Sequence, residues 1–457
     1  MSGSPINLSF YGAAGTVTGS KYMLRVDDRN VLVDCGLFQG LKNLRQRNWE
    51  EPVFDIKTID AVVLTHAHID HSGYLPVVMK RGYRGPVYCT GATAELCGIM
   101  LPDSGHLQEE EARYIGKKGV GRHDPVLPLY TREDAEQTLE LLRPVDFDTD
   151  IDLGGGLSFR YTRAGHILGS AWVAFMKSGF RVVFSGDVGR HNDPVMNPPV
   201  GIEHSDVLIC ESTYGDRLHP DEDPADVLAA VIKRTVARGG TLVIPAFAVG
   251  RTQALLHLIS ELRKANAIPE VPAYLNSPMG IDATEIYAKH AGEHRLDQKA
   301  CREMFAVAEF IRSEEASRAL NTNEGPAIII AGSGMATGGR VVHHLRTLLP
   351  DPNNTVLLAG FQAPGTRGEA LQNHVPDLKI FGEYVPVRAE IVELDSMSAH
   401  ADYMELINWL SSIKLKPKRV FLTHGEPAAA DALRKHLERH LGWNPEIPEY
   451  RDVARLL

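Results

Sequence analysis

His66-Ala67-His68-Ile69-Asp70-His71 follows the apolar run Ala61-Val62-Val63-Leu64-Thr65 and runs into Ser72-Gly73. Three imidazoles and a carboxylate at the end of an expected strand constrain the fold more than any other feature of this chain. Side chains two apart on an extended backbone point the same way, so His66 and His68 can address one point. Asp70 and His71 fall where Ser72-Gly73 must turn the chain, and can address a neighbouring one. Imidazole with carboxylate and no cysteine is the donor set of a catalytic zinc-type site, and this density suits two divalent cations better than one. A metal-dependent hydrolase is the expectation.

Two cations need further ligands from elsewhere in the chain, in the same context of a strand end followed by glycine. Gly165-His166 precedes the apolar run Ala171 to Phe175, Arg181 to Ser185 runs into Gly186-Asp187, and Arg419 to Thr423 leads to His424-Gly425. Asp187 is the natural bridging carboxylate, because a monoanion with two oxygens can sit between two cations. Asn30 to Val33 runs in the same way into Asp34-Cys35-Gly36, and Asp34 is suited to orienting ligands or water from behind.

The last of these histidines lies far along the chain, so something of domain size is inserted between Asp187 and His424. Gly240 to Pro245, Pro326 to Ile330 and Thr355 to Ala359 read as strands, each followed by a glycine loop and an arginine: Gly250-Arg251, Gly338-Gly339-Arg340 and Gly365-Thr366-Arg367. Repeated strand, loop and helix predicts a parallel sheet with its loops gathered along one edge. Backbone N–H groups at such glycines can approach an anion, and arginine adds charge. None of the loops fits the dinucleotide fingerprint. Between Leu107 and Leu142 the two ends read as helical, with a Gly- and Pro-containing loop between them.

Composition sets bounds. The 457 residues suffice for two core-bearing domains, and 44% hydrophobic with 23% charged residues is ordinary for a globular protein. The five cysteines, Cys35, Cys89, Cys97, Cys210 and Cys301, are odd in number and scattered, which predicts a reducing compartment and no disulfide framework. No signal-peptide pattern opens the chain, and no apolar run approaches the roughly 20 residues of a membrane span, so a cytoplasmic protein without a membrane partner is expected. A net charge of −10 runs against the basic surface of nucleic-acid enzymes. Local basic stretches at Lys42 to Arg47, Lys117-Lys118 with Arg122, and Lys414 to Arg419 can still line a groove.

The order strand-end Asp34, HxHxDH (His66 to His71), His166, Asp187 and His424 resembles the metallo-β-lactamase fold superfamily. Further along, Cys210 to Gly215, Ile244 to Arg251, Ser277-Pro278-Met279, Ser333-Gly334-Met335 and Ser398 to Asp402 look like its β-CASP subgroup, over nearly the whole chain. One departure is Asn276, where many members carry Asp. The resemblance implies a four-layer αβ/βα sandwich over residues 1–208 and 389–457, with an inserted α/β β-CASP domain over 209–388. It implies one metal on His66, His68, His166 and Asp187, and another on Asp70, His71, Asp187 and His424. Lactam hydrolysis is not expected, because many antibiotic-degrading members lack a histidine at the place of His71 and have cysteine at that of Asp187. Zinc is favoured over iron, because diiron members carry Glu where His68 stands.

The reading that follows is a zinc-dependent ribonuclease with two Zn2+ per chain, acting on single-stranded RNA; homo-oligomerisation is left open. Paired cations lower the pKa of water from about 15.7 to near 7 and brace both ends of an in-line displacement. The leaving alkoxide needs a proton. His400, kept cationic and aligned by Glu211, is the expected general acid, and Asp34 would help steer the nucleophile. Substrate contacts are expected from Arg251, the Ser333-Gly334-Met335 loop and Arg367. Two alternatives stay open: a hydrolase of a small thioester or organic phosphate, which needs no inserted domain, and a noncatalytic scaffold, against which all seven ligand positions are filled. Adjacent His343 and His344 on a helix diverge by about 100° and cannot share a metal. His219 is a candidate for the site; His257, His290, His294 and His374 are expected at the surface or in packing.

Overall fold

The computed structural model describes residues 5–118, 126–322 and 325–457. Arg122 and the side chains of Lys117 and Lys118, read as basic candidates, lie outside what it describes. The described residues form two units. One takes in the chain up to His191, then Pro198–Leu218 and His400–Leu457; the other takes in Asn192–Asn197 and His219–Ala399. Apart from Asn192–Asn197, the second unit runs from His219 to Ala399, against the expected 209–388. Strand Val207–Glu211 belongs to the first unit's sheet, and strand Glu390–Glu393 pairs with Thr355–Leu358 in the second.

The first unit holds a seven-stranded and a six-stranded sheet. Phe10, Tyr22, Phe159, Tyr161, Phe175 and Phe184 fill one buried cluster contributed by strands of both sheets. The other face of the six-stranded sheet, through Val183, Leu208, Cys210, Val420 and Leu422, packs against Leu406, Leu410, Leu433 and Leu437 of helices Tyr403–Leu410 and Pro427–Leu441. Helices Leu75–Lys80, Gly91–Lys118 and Arg132–Leu139 accompany the seven-stranded sheet. This is the expected αβ/βα sandwich.

Parallel pairing positions the site. Strand Val207–Glu211 runs parallel to both Phe180–Phe184 and Arg419–Thr423, with Glu211 opposite Thr423. The C-terminal ends of these three strands therefore deliver Asp187, Glu211 and His424 to one edge. Strand Arg29–Val33, parallel to Ala61–Val63, brings Asp34 beside Thr65 in the same way.

In the six-stranded sheet of the second unit the strands follow the order Glu309–Phe310, Ala273–Asn276, Ala327–Ala331, Thr241–Pro245, Thr355–Leu358, Glu390–Glu393, every pairing parallel. The three strands read from sequence lie side by side at its centre. All five cysteines are buried and free. No helix among the described residues is long and apolar enough to cross a membrane.

Candidate metal centre

Two groups of ligand atoms converge in the first unit. His66 Nε2 and His68 Nδ1 are 3.1 Å apart, His166 Nε2 and His68 Nδ1 3.2 Å, and Asp187 Oδ2 stands 3.5 Å from His66 Nε2 and 3.6 Å from His166 Nε2. A tetrahedral zinc ion with bonds of about 2.0–2.1 Å holds its ligand atoms about 3.3 Å apart, so these spacings fit one. In the second group, His71 Nε2 and His424 Nε2 are 3.1 Å apart, and His424 Nε2 is 3.3 Å from Asp70 Oδ2. Asp187 Oδ1 approaches that group, 3.3 Å from His71 Nε2.

Asp187 thus turns one oxygen to each group. It is 2% exposed, and Oδ1 has no hydrogen-bond donor. A buried carboxylate oxygen without a donor is costly, and a cation would satisfy it. The donor set and the orphaned oxygen both fit a metal pair.

Ionisation agrees in most places. Burial holds His66 well below its ordinary pKa and His68 at about 4, which leaves their lone pairs free. Asp187 is depressed: burial opposes its charge, but His424, His71 and His66 outweigh burial. His71 goes the other way. Burial disfavours its charge, yet Asp187 and Asp34 raise its pKa well above the ordinary value. In the metal-free protein a proton on His71 therefore competes with a cation.

Groups behind the ligands fix their orientation. Asp34, 1% exposed, accepts from Thr65 N at 2.7 Å, from Thr65 Oγ1 at 2.9 Å and from His71 Nδ1 at 2.8 Å. Its oxygens are directed at Thr65 and His71, which makes it a positioning group for the second site. Thr213 Oγ1 lies 3.0 Å from His424 Nδ1, and Thr65 Oγ1 3.1 Å from His66 Nδ1. Gly36 is required because the loop it opens lies on the backbone of Asp70: a Cβ there would stand 1.6 Å from the Asp70 carbonyl oxygen. Lys21, buried between the rings of Phe38 and Tyr74, donates to the Gly36 carbonyl, and burial lowers its pKa to about 8. Neither threonine nor Lys21 stood out in the sequence, where only the position of Thr65 immediately before His66 gives a hint.

His400 Nδ1 lies 3.1 Å from Glu211 Oε2, and its Nε2 lies 4.0 Å from Asp187 Oδ2. Glu211 is itself held by the Val188 N–H at 2.5 Å. Burial opposes charge on His400, but the Glu211 carboxylate outweighs it and lifts the pKa to about 9. The ring of Tyr214 stacks alongside, 6.2 Å between centroids.

The substrate candidates lie in the second unit. Arg251 is 9% exposed, at the start of helix Arg251–Lys264. Arg367 donates Nε–H to Lys379 O and Nη1–H to Ala336 O and Thr337 O, while Arg340 donates to Asn276 Oδ1, Ile311 O and Arg312 O. Both guanidinium groups brace loops. Ser333 Oγ accepts from Thr337 N, and Gly334 O accepts from Gln362 Nε2; Met335 O accepts from Gly368 N. His344 is buried, between Asn276 Nδ2 at 2.6 Å and Asn321 Oδ1 at 2.7 Å. His294 is packed on Tyr287, as expected. In the first unit the basic stretch Lys414 to Arg419 is largely paired: Lys418 with Asp206, Arg419 with Glu446.

Sandwich, ligand order and inserted sheet together define a hydrolase of the metallo-β-lactamase superfamily. Residues 14–238 match the metallo-beta-lactamase superfamily, 252–371 the Beta-Casp domain, and 384–448 the Zn-dependent metallo-hydrolase RNA specificity domain. The chain belongs to the β-CASP family. It is 38% identical to Ribonuclease TTHA0252 of Thermus thermophilus over 93% of this chain and 95% of that one. It is 32% identical to Transcription termination factor FttA of Methanosarcina mazei, over 99% of this chain and 72% of that one. An RNase J-like protein of Methanocaldococcus jannaschii is 30% identical over 92% of each. A crystal structure of a protein of unknown function from Enterococcus faecalis shares the fold, with a TM-score of 0.56 at 14% identity, covering 99% of this chain and 100% of that one.

Proposed function

We propose that this chain is a zinc-dependent ribonuclease that hydrolyses phosphodiester bonds of single-stranded RNA. The observation that carries the reading is Asp187, one buried carboxylate that belongs to a four-residue ligand group and turns its other oxygen, which lacks a donor, toward His71 of a second group of three. His66, His68 and His166 would hold one ion, Asp70, His71 and His424 the other, and Asp187 both. When bound, the pair supplies Lewis acidity that activates water and steadies charge on the phosphoryl oxygens.

The protein's own groups do the rest. Glu211 accepts from His400 Nδ1, so the proton available to a substrate is on Nε2, the nitrogen that faces Asp187. Cations nearby would bring the pKa of about 9 back toward neutrality, where a general acid is most effective. From that position His400 would protonate the leaving oxygen. RNA as substrate is supported by the similarity to a ribonuclease along almost its full length.

The test is incubation of the purified protein with RNA and DNA labelled at either end, before and after zinc removal. Cleavage of RNA that is lost on chelation and returns with zinc is expected. Rapid hydrolysis of a thioester or a small organic phosphate without any cleavage of RNA would replace this reading with a small-molecule hydrolase. Binding of RNA without hydrolysis of any substrate would point to a noncatalytic subunit.

A further inference from the structure

In the second unit, the central strands Ala327–Ala331 and Thr241–Pro245 are neighbours, but the chain leaves them in opposite directions. From Thr241–Pro245 it passes through helix Arg251–Lys264 to Ala273–Asn276, on the far side of Ala327–Ala331. From Ala327–Ala331 it passes through helix Arg340–Leu348 to Thr355–Leu358, on the far side of Thr241–Pro245. Right-handed crossovers place those helices on opposite faces, and Val341, Val342 and Leu345 do pack on the face that carries Val243 and Ile329. Between two such strands a parallel sheet opens a crevice at its C-terminal edge, the usual place for a ligand in this class of sheet.

Phe247 and Gly334 follow those two strands, at that C-terminal edge. A Cβ on Gly334 would stand 2.6 Å from the Phe247 ring, so the ring lies directly on the glycine backbone. Phe247 is nevertheless 37% exposed. Its backbone is fixed, since its carbonyl accepts from Thr252 N at 3.2 Å and from Thr252 Oγ1 at 2.8 Å. Gln362 Nε2 donates to both Gly334 O and Gly360 O, tying the glycine under the ring to the next loop. The guanidinium of Arg251 lies against Gly360 in that same loop.

The result is an immobilised aromatic ring, supported from behind by backbone and open in front, with a cation and a serine hydroxyl in the surrounding loops. Phe247 is the most exposed large hydrophobic side chain in the described part of these loops, where Met335 and Phe361 are half-buried. An aromatic face beside positive charge is what sites for single-stranded nucleic acid use, since every base has a face to stack and an unpaired strand leaves it free. We infer that Phe247 is a stacking platform for one unpaired nucleobase of the RNA. The inference rests on the ribonuclease reading and adds to it a sequence-tolerant, single-strand-specific subsite.

The test measures binding of a short single-stranded oligoribonucleotide, made uncleavable by methylene in place of the bridging oxygens that would leave, to the intact zinc-loaded protein. A matched series carries one abasic ribose at successive positions. Phe247→Ala should weaken binding of the complete oligonucleotide about 5- to 100-fold. At one position of the series the abasic oligonucleotide should bind wild type and variant equally weakly. Phe247→Trp should retain affinity, and Phe247→Leu, which keeps apolar contact with Gly334, should not. Gly334→Ala, which displaces the ring, should reproduce the loss. Equal affinity of wild type and Phe247→Leu for every oligonucleotide would overturn the platform while leaving the ribonuclease reading intact. So would a loss in Phe247→Ala that is the same at every abasic position. A wild type that neither binds nor cleaves RNA would instead overturn the reading beneath it.

Discussion

Replacing Asp34 by asparagine separates the two proposed metal positions. Asp34 stands at φ 56°, a left-handed conformation that asparagine tolerates well, so the backbone should be preserved. The amide oxygen can keep the 2.7 Å bond from Thr65 N, which leaves the NH2 group facing His71 Nδ1 and Thr65 Oγ1. His71 must then accept at Nδ1 and carry its proton on Nε2, the atom that should hold the cation. A hydrogen bond to a charged group contributes about 1.5–3 kcal/mol. Loss of such a partner behind a metal ligand typically costs about 10–100-fold in affinity, or about 1.4–2.8 kcal/mol, and the two figures agree. The effect should fall mainly on the ion held by Asp70, His71 and His424, because Asp34 bonds His71 directly and reaches the first group only through Thr65 Oγ1, which lies 3.1 Å from His66 Nδ1. Zinc titration against a competing chelator should show one ion bound as in wild type and the other about 10–100-fold more weakly. Two ions at unchanged affinity, or both weakened alike, would refute this division of ligands.

His400→Ala should slow cleavage of RNA by about 10²–10⁴-fold with zinc content unchanged. A substrate with sulfur in place of the scissile bridging oxygen leaves without a proton and should be cleaved nearly as fast by variant as by wild type; equal impairment on both would mean that His400 does not protonate the leaving group. In the second unit, burial, His343 and Arg340 hold His344 neutral, with a pKa of about 4 against an ordinary 6.5. Its contribution to stability is complete above pH 6.5 and is lost as pH falls toward 4, because the unfolded chain takes up the proton first; the loss is about 3 kcal/mol over that interval. Amide protection factors across helix Arg340–Leu348, corrected for the intrinsic pH dependence of exchange, should fall over that range in wild type and less steeply in His344→Gln, and parallel profiles would count against the assignment.

Much of this was legible in the sequence because ligand density and strand ends are local signals. His66 to His71, Asp187 and His424 each follow an apolar run, and parallel pairing does bring those ends together. The destinations of long side chains were not legible. Arg340 and Arg367 follow glycine loops as an anion-binding arginine would, yet their guanidinium groups cap carbonyls contributed by segments that only the folded sheet brings near. The sequence allows Asp34 both to orient ligands and to steer the nucleophile, and its bonds to Thr65 and His71 serve the first role. Strand Val207–Glu211 straddles the expected boundary after residue 208 because an apolar strand does not reveal which sheet it joins. Phe247 falls within the stretch Ile244 to Arg251, but nothing in the sequence marks its ring as exposed, since a phenylalanine after a buried strand is expected to be buried as well.

The central claim is that RNA cleavage depends on two ions bridged by Asp187. The most direct measurement is to strip the protein of metal, return zinc in steps and follow both bound zinc and cleavage of end-labelled single-stranded RNA. Little activity at one equivalent and full activity as the second binds is the predicted result. Full activity at one equivalent, or two bound ions without cleavage, would contradict it.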